Sequence, residues 1–120
     1  MSIYIINESN VMRHKITLPQ LKKYDITQKV IMALADAESR VILFSIIRKG
    51  KTASDLSESL KIPLSSVYKK LSDLENLTLV RVEKTILSEK GRRFKIYRSR
   101  INKAEISIKK PEPTLSLSAN

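Results

Sequence analysis

The sequence predicts a mainly α fold with a small β-hairpin wing, and three observations carry that prediction. Residues 52–76 hold two short amphipathic stretches separated by Lys61-Ile62-Pro63. Residues 79–97 then alternate apolar and polar around Lys90-Gly91, as two strands joined by a turn would. Residues 26–47 supply apolar side chains at helical spacing for two more helices ahead of that unit.

Each element has a local cause. Residues 1–24 form an N-terminal arm, where Ile3-Tyr4-Ile5-Ile6 suits either a short strand or a fraying end and Pro19 suits the first position of a helical turn. Asp25 or Thr27 can cap a helix reaching about Ala35, with Val30, Ile31 and Leu34 as its apolar stripe and Ile26 or Ala35 extending it. Asp36 or Ala37 opens a second helix, whose Val41, Ile42, Leu43, Phe44, Ile46 and Ile47 leave little polar face. Such a helix belongs in a core or against a partner chain. Gly50 suits a left-handed C-terminal cap for it.

Thr52 begins the third helix, its hydroxyl placed to accept from the Asp55 amide, and Leu56 and Leu60 face inward. Pro63 disfavours helical geometry at Ile62, so the turn is written into the chain. The fourth helix runs from about Leu64 to Asn76, with Val67, Leu71 and Leu74 as its apolar stripe. In the hairpin, Leu79–Val82 and Arg93–Tyr97 alternate, with Phe94 and Ile96 expected inward and Gly91 at the tip. Residues 104–108 would add a third strand, closing a domain over 25–108. Residues 109–120, with two prolines and small polar side chains, read as a disordered tail.

Composition bounds the function. The 120 residues are 42% hydrophobic, enough for one small globular domain. Lys and Arg number 23 against 12 acids, a formal charge of +11, which points to a polyanionic partner. No cysteine is present, so disulfides and thiolate metal sites are excluded. No apolar run approaches the ~20 residues of a membrane span, and the start MSIYIINESN lacks a secretory pattern. A cytoplasmic protein without a membrane partner is the expectation. The single His14 and the two glycines support neither a metal site nor a phosphate loop. No cofactor and no catalytic residue is expected, and the chain does not read as an enzyme.

The charge is concentrated. Between Lys84 and Arg100 lie seven cations (Lys84, Lys90, Arg92, Arg93, Lys95, Arg98, Arg100) and one acid, Glu89. A plain reading is a solvated strand pair. Beside a helical pair, the same charge suits the phosphates of double-stranded DNA. The exposed start of the fourth helix carries Ser65, Ser66, Tyr68 and Lys69, side chains able to read base edges in the major groove. Thr52 and Ser54 are placed to touch phosphate, and Lys90, Arg92, Arg93 and Lys95 to hold the backbone or enter the minor groove. The apolar surplus of residues 26–47 suggests a homodimer through Ile26, Val30, Ile31, Leu34, Val41 and Phe44. Two-fold symmetry would set two recognition helices roughly 34 Å apart. In a monomer, the N-terminal arm and the 104–108 strand would cover the same surface.

In order, ALADAESRVILFSII, KTASDLSESLKIPLSSVYKKLSDLENLTLV and GRRFKIYR resemble the winged helix-turn-helix of ArsR-like transcriptional regulators, especially archaeal ones. The resembling positions are Leu34-Ala35-Asp36 with Arg40, Leu56 to Leu60, Ser65-Val67-Leu71-Leu74, Leu79-Val80, and Gly91-Arg92-Arg93 with Tyr97. The resemblance implies a sequence-specific DNA-binding transcriptional regulator. The chain departs from the pattern in three ways. It lacks the cysteines through which the family often senses metals. Thr78 stands where a glycine usually precedes Leu-Val, a poor left-handed residue that suggests an irregular turn or one placed at Asn76. A strand and polar tail replace a C-terminal dimerisation helix, which leaves dimerisation to residues 1–47. The alternative function is a protein-interaction or RNA-binding module of a transcription or RNA-processing assembly, although base-stacking aromatics near the basic face are few.

Overall fold

Among the described residues, helices and strands follow in the order β1 (Ser2–Ile6), β2 (Val11–Lys15), α1 (Leu21–Ala35), α2 (Ala37–Ser45), α3 (Ala53–Leu60), α4 (Leu64–Asn76), β3 (Val80–Leu87), β4 (Arg93–Ser99), β5 (Ile101–Ser107) and β6 (Thr114–Ala119). The structure, a computed structural model, describes residues 2–6, 11–15 and 21–120, with side chains from residue 26 onward. Pro19 lies outside the described residues.

The helices end where local chemistry ends them. α1 begins at Leu21, so Asp25 and Thr27 lie inside it rather than capping it. Asp36 caps α2 by accepting from the Ser39 amide at 3.0 Å and the Ser39 hydroxyl at 2.7 Å. Arg40 closes the end of α1, donating to the carbonyls of Leu34 and Ala35 at 2.8 and 2.9 Å. Thr52 caps α3 through the Asp55 amide at 3.1 Å. The turn after α3 uses Lys61 in the left-handed region, φ 56°. α4 ends in a Schellman motif: Thr78 N–H donates to Glu75 O and Leu79 N–H to Leu74 O, both at 2.9 Å. Thr78 itself holds φ 61°. The left-handed residue is therefore the threonine, neither an irregular turn nor one placed at Asn76.

Gly50 is not the left-handed cap that its place in the sequence suggests. α2 ends at Ser45 with Ile46 as C-cap, and the only glycine with positive φ is Gly91, at 78°. Gly50 is constrained by space. A Cβ there would come within 2.6 Å of Ile96 Cγ2 and 3.2 Å of the Tyr97 carbonyl oxygen, and would also collide with the Glu83 carboxylate. Its neighbour Lys51 exchanges backbone hydrogen bonds with Tyr97 at 2.9 and 3.1 Å, tying the α2–α3 loop to the wing.

The core gathers Val30 and Leu34 from α1, Ile42 and Leu43 from α2, Leu56 from α3, Val67, Leu71 and Leu74 from α4, and Val80 and Tyr97 from the hairpin. Ile101 and Leu115, from the C-terminal strands, belong to the same cluster. On β4 the inward residues are Tyr97 and Ser99, whereas Phe94 is exposed and Ile96 half-buried. This reverses the parity expected from alternation. The ribbon is buried only at its base, where Ser99 N–H reaches the Ile46 carbonyl at 3.0 Å, and a register shift between Val82 and Lys84 separates base from tip.

The expected disordered tail is a strand. β6 pairs antiparallel with β5 and parallel with β1, and β1 pairs antiparallel with β2, giving a four-stranded sheet in the order β2-β1-β6-β5. Leu115 is fully buried and stands in register with Ile106 on one side and Ile3 on the other. Thr114-Leu115-Ser116-Leu117 supplies the period of two that a strand with one covered face needs. The sheet thus joins the N-terminal strands β1 and β2 to residues 101–119.

Candidate nucleic-acid interface

α3 and α4 form the helical pair and β3–β4 the wing. α4 begins at Pro63 with no side-chain cap and no acid in its first turn. Its first amides therefore keep their partial positive charge open to solvent. Val67, Leu71 and Leu74 pull one face of α4 into the core, which turns the other face out. Ser65, Tyr68 and Lys69 are exposed there, Tyr68 by half, and Ser66 is half-buried.

Two lysines on α4 do different work. Lys69 pairs with Asp73 at 3.2 Å, with both side chains open to water. An exposed i,i+4 pair of this kind is worth little and yields readily to a phosphate. Lys70 points the other way, 2.7 Å from Asp36 and 3.7 Å from Glu38. That contact ties the middle of α4 to the N-cap of α2. The Lys70 ammonium, helped by the Ser39 donors, draws the Asp36 carboxyl down to about 2, and Asp36 in turn raises Lys70.

On the wing, Lys90, Arg92, Arg93 and Lys95 are all exposed. The turn is closed by Ser88 N–H to Arg92 O at 2.7 Å, Gly91 N–H to Ser88 O at 2.9 Å and Arg92 N–H to Ser88 Oγ at 3.0 Å. Register places Arg93 opposite Leu87 and Lys95 opposite Thr85, so the two cations share one face of the ribbon. Arg98 is spent differently from the other cations. Its Nε donates to Ile47 O at 2.9 Å and its guanidinium approaches Glu83 at 3.5 Å. Tyr97 is buried in the core, and burial, with Glu75 and Tyr68 adding, pushes its phenol up.

Thr52 is half-buried and its oxygen serves the α3 cap, while Ser54 is exposed on α3. Of the residues expected at a dimer interface, Val30 and Leu34 are buried in the chain's own core and Ile31 is half-buried; Ile26, Val41 and Phe44 are exposed. In the single chain Val30 and Leu34 face the helical core. Sequence reasoning did not single out Met32, which is also exposed, nor the exposed apolar residues of the wing, Ile86 and Leu87. Ile86 and Leu87 lie between Lys84 and Lys90, in a stretch that stands out for its charge rather than for these two side chains.

Residues 21–102 match the family described as sugar-specific transcriptional regulator TrmB. Among solved structures, reduced HlyU from Vibrio cholerae N16961 is similar with a TM-score of 0.53 at 18% identity, over 69% of this chain and 81% of that one. NolR from Sinorhizobium fredii is similar with a TM-score of 0.54 at 19% identity, over 72% and 80%. At such identities the likeness is one of fold, and that fold is the winged helix. A search of curated proteins found no match.

Proposed function

Because the chain belongs to the TrmB family and is a DNA-binding transcription regulator, we propose that it reads duplex DNA sequence-specifically, with α4 in the major groove and the basic wing on the flanking backbone and minor groove. One observation carries the proposal: the uncapped start of α4, with Ser65, Ser66, Tyr68 and Lys69 on its outward face, lies in a chain whose free cations concentrate on the adjoining hairpin. Base-edge reading needs the first and phosphate neutralisation the second. Thr52 and Ser54 are proposed phosphate contacts at the start of α3, and Lys90, Arg92, Arg93 and Lys95 the wing contacts.

Beyond membership of that family, we propose a kinship with archaeal ArsR-like regulators, for which the order of the motif residues from Leu34 to Tyr97 speaks. The family description names sugar specificity, and the DNA-reading part of that description is what the geometry here supports. The protein acts as a homodimer in this reading, through the exposed Ile26, Val41 and Phe44 with Ile31 at the rim. It works without a cofactor or catalytic step, in the cytoplasm, where the DNA is accessible. No helix among the described residues is long and apolar enough to cross a membrane.

The test is selection from a pool of genomic fragments at rising salt, followed by sequencing of what stays bound. Enrichment of short, roughly palindromic sites that survive ~150–200 mM salt is the expected result. Binding that collapses with salt and enriches nothing would leave only phosphate attraction, and would favour a protein partner on residues 26–47.

A further inference from the structure

The wing carries an apolar pair that phosphate binding does not use. Ile86 and Phe94 stand directly opposite each other in register, so their side chains share a face. They remain 42% and 36% exposed, and Leu87 on the other face is 66% exposed. Each of the opposed pair lies two residues from the Ser88–Arg92 turn, near the end of the ribbon that stands away from the core. A phenylalanine and an isoleucine left open on a protruding hairpin lose the benefit of burial unless something covers them.

Charge decides what can cover them. The same segment holds seven cations against one acid; Lys84, opposite Ile96 and two residues from Ile86, shares the face of the apolar pair, and Arg93 and Lys95 line the other face. A suitable partner is a polyanion that also offers apolar surface between its charges. Duplex DNA meets both conditions, because its groove walls are deoxyribose edges lined by phosphates. We infer that Ile86 and Phe94 pack on the sugar walls of the groove the wing enters. This gives the wing a salt-independent hold beside the salt-dependent contacts of Arg92 and Arg93. The inference rests on the DNA-binding reading above and assigns the wing a second kind of contact within it.

The test uses the full chain and one selected duplex, with affinity measured across a salt series. Ile86→Thr with Phe94→Thr removes most of the apolar surface while leaving a good strand former at each position. The expected result is about ten-fold weaker binding at every salt concentration, an unchanged slope of log affinity against log salt, and a less negative heat capacity of binding. Phe94→Tyr alone should bind as the wild type does. A merely structural role would read differently: a disordered wing would misplace its cations, and the slope would fall with the affinity. Either that fall, or affinity within about two-fold of wild type, overturns the inference; the second outcome would turn the apolar pair toward a protein partner. Failure of the wild-type chain to bind the duplex at all is a distinct result, and it removes the DNA reading itself along with this contact.

Discussion

Three side chains concentrate the chemistry of the domain, and each gives a separate test. Tyr68 is half-exposed on the outward face of α4, where a ring and a hydroxyl can meet a base edge. Tyr68→Ala should relax sequence preference more than it weakens overall affinity, as read from the breadth of the sites that the variant selects. Thr78 holds φ 61° to complete the cap of α4. A β-branched residue there costs about 1–2 kcal/mol, partly offset by the extra unfolded-state freedom of a glycine. Thr78→Gly should therefore raise the melting temperature by about 2–4 °C with DNA affinity unchanged. Asp36 is the junction between α2 and α4. Its pKa is lowered to about 2 from an ordinary 3.8, so its contribution is fully present above the ordinary value and is lost as pH falls toward 2. Asp36→Asn keeps the cap but not the charge. It should remove the part of acid destabilisation that falls between about pH 4 and pH 2, as followed by thermal melts across that range. Of these three, the outward place of Tyr68 was legible from the chain alone, and Asp36 only as one of two possible starts of α2. Its bond to Lys70, 34 residues away, was not, because no local pattern reports which distant ammonium a cap will meet.

At the scale of elements, α3 and α4 were the most legible, since each boundary has a short-range cause: Thr52 with Asp55, Pro63 after Ile62, and leucines at i, i+4 spacing. The wing was legible as a hairpin but not as to which side faces in. That depends on the bulge between Val82 and Lys84 and on where the ribbon leaves the body, neither of which alternation encodes. β6 was hidden by its approach. Pro111 and Pro113 advertise a loop, and the partner that makes TLSLSA a strand, β1, lies at the opposite end of the chain. The wing gives the prediction at this scale. Arg92→Ala with Arg93→Ala should weaken binding to every sequence alike and flatten the salt slope by about two units. Loss of affinity with an unchanged slope would remove these arginines from the phosphate contacts.

For the whole molecule, the outward apolar side chains of α1 and α2 are the proposed interface. Val30 and Leu34 serve the chain's own core, and what is left outside is Ile26, Met32, Val41 and Phe44. If that remainder is a two-fold interface, Val41→Asp with Phe44→Asp should convert the dimer to a monomer in sedimentation. The melting profile should hold, because both positions are exposed in the single chain, while operator affinity falls as the two recognition helices lose their fixed spacing. A wild-type chain that sediments as a monomer at all concentrations would sink the dimer.

The placement of β6 also bears on how the chain is made. β6 is an interior strand of its sheet, held between β1 and β5, yet it is synthesised after both of those neighbours. The helical pair and the wing have their partners close in sequence and can assemble during translation. β1 and β2 are made well before residues 114–119 and must wait for them as a two-stranded antiparallel pair with an unfilled edge. A two-stranded hairpin alone is marginally stable, and an open edge invites pairing with neighbouring chains. The DNA-reading half would therefore mature ahead of the sheet, and a nascent chain stalled before β6 would be the form of this protein most prone to aggregate.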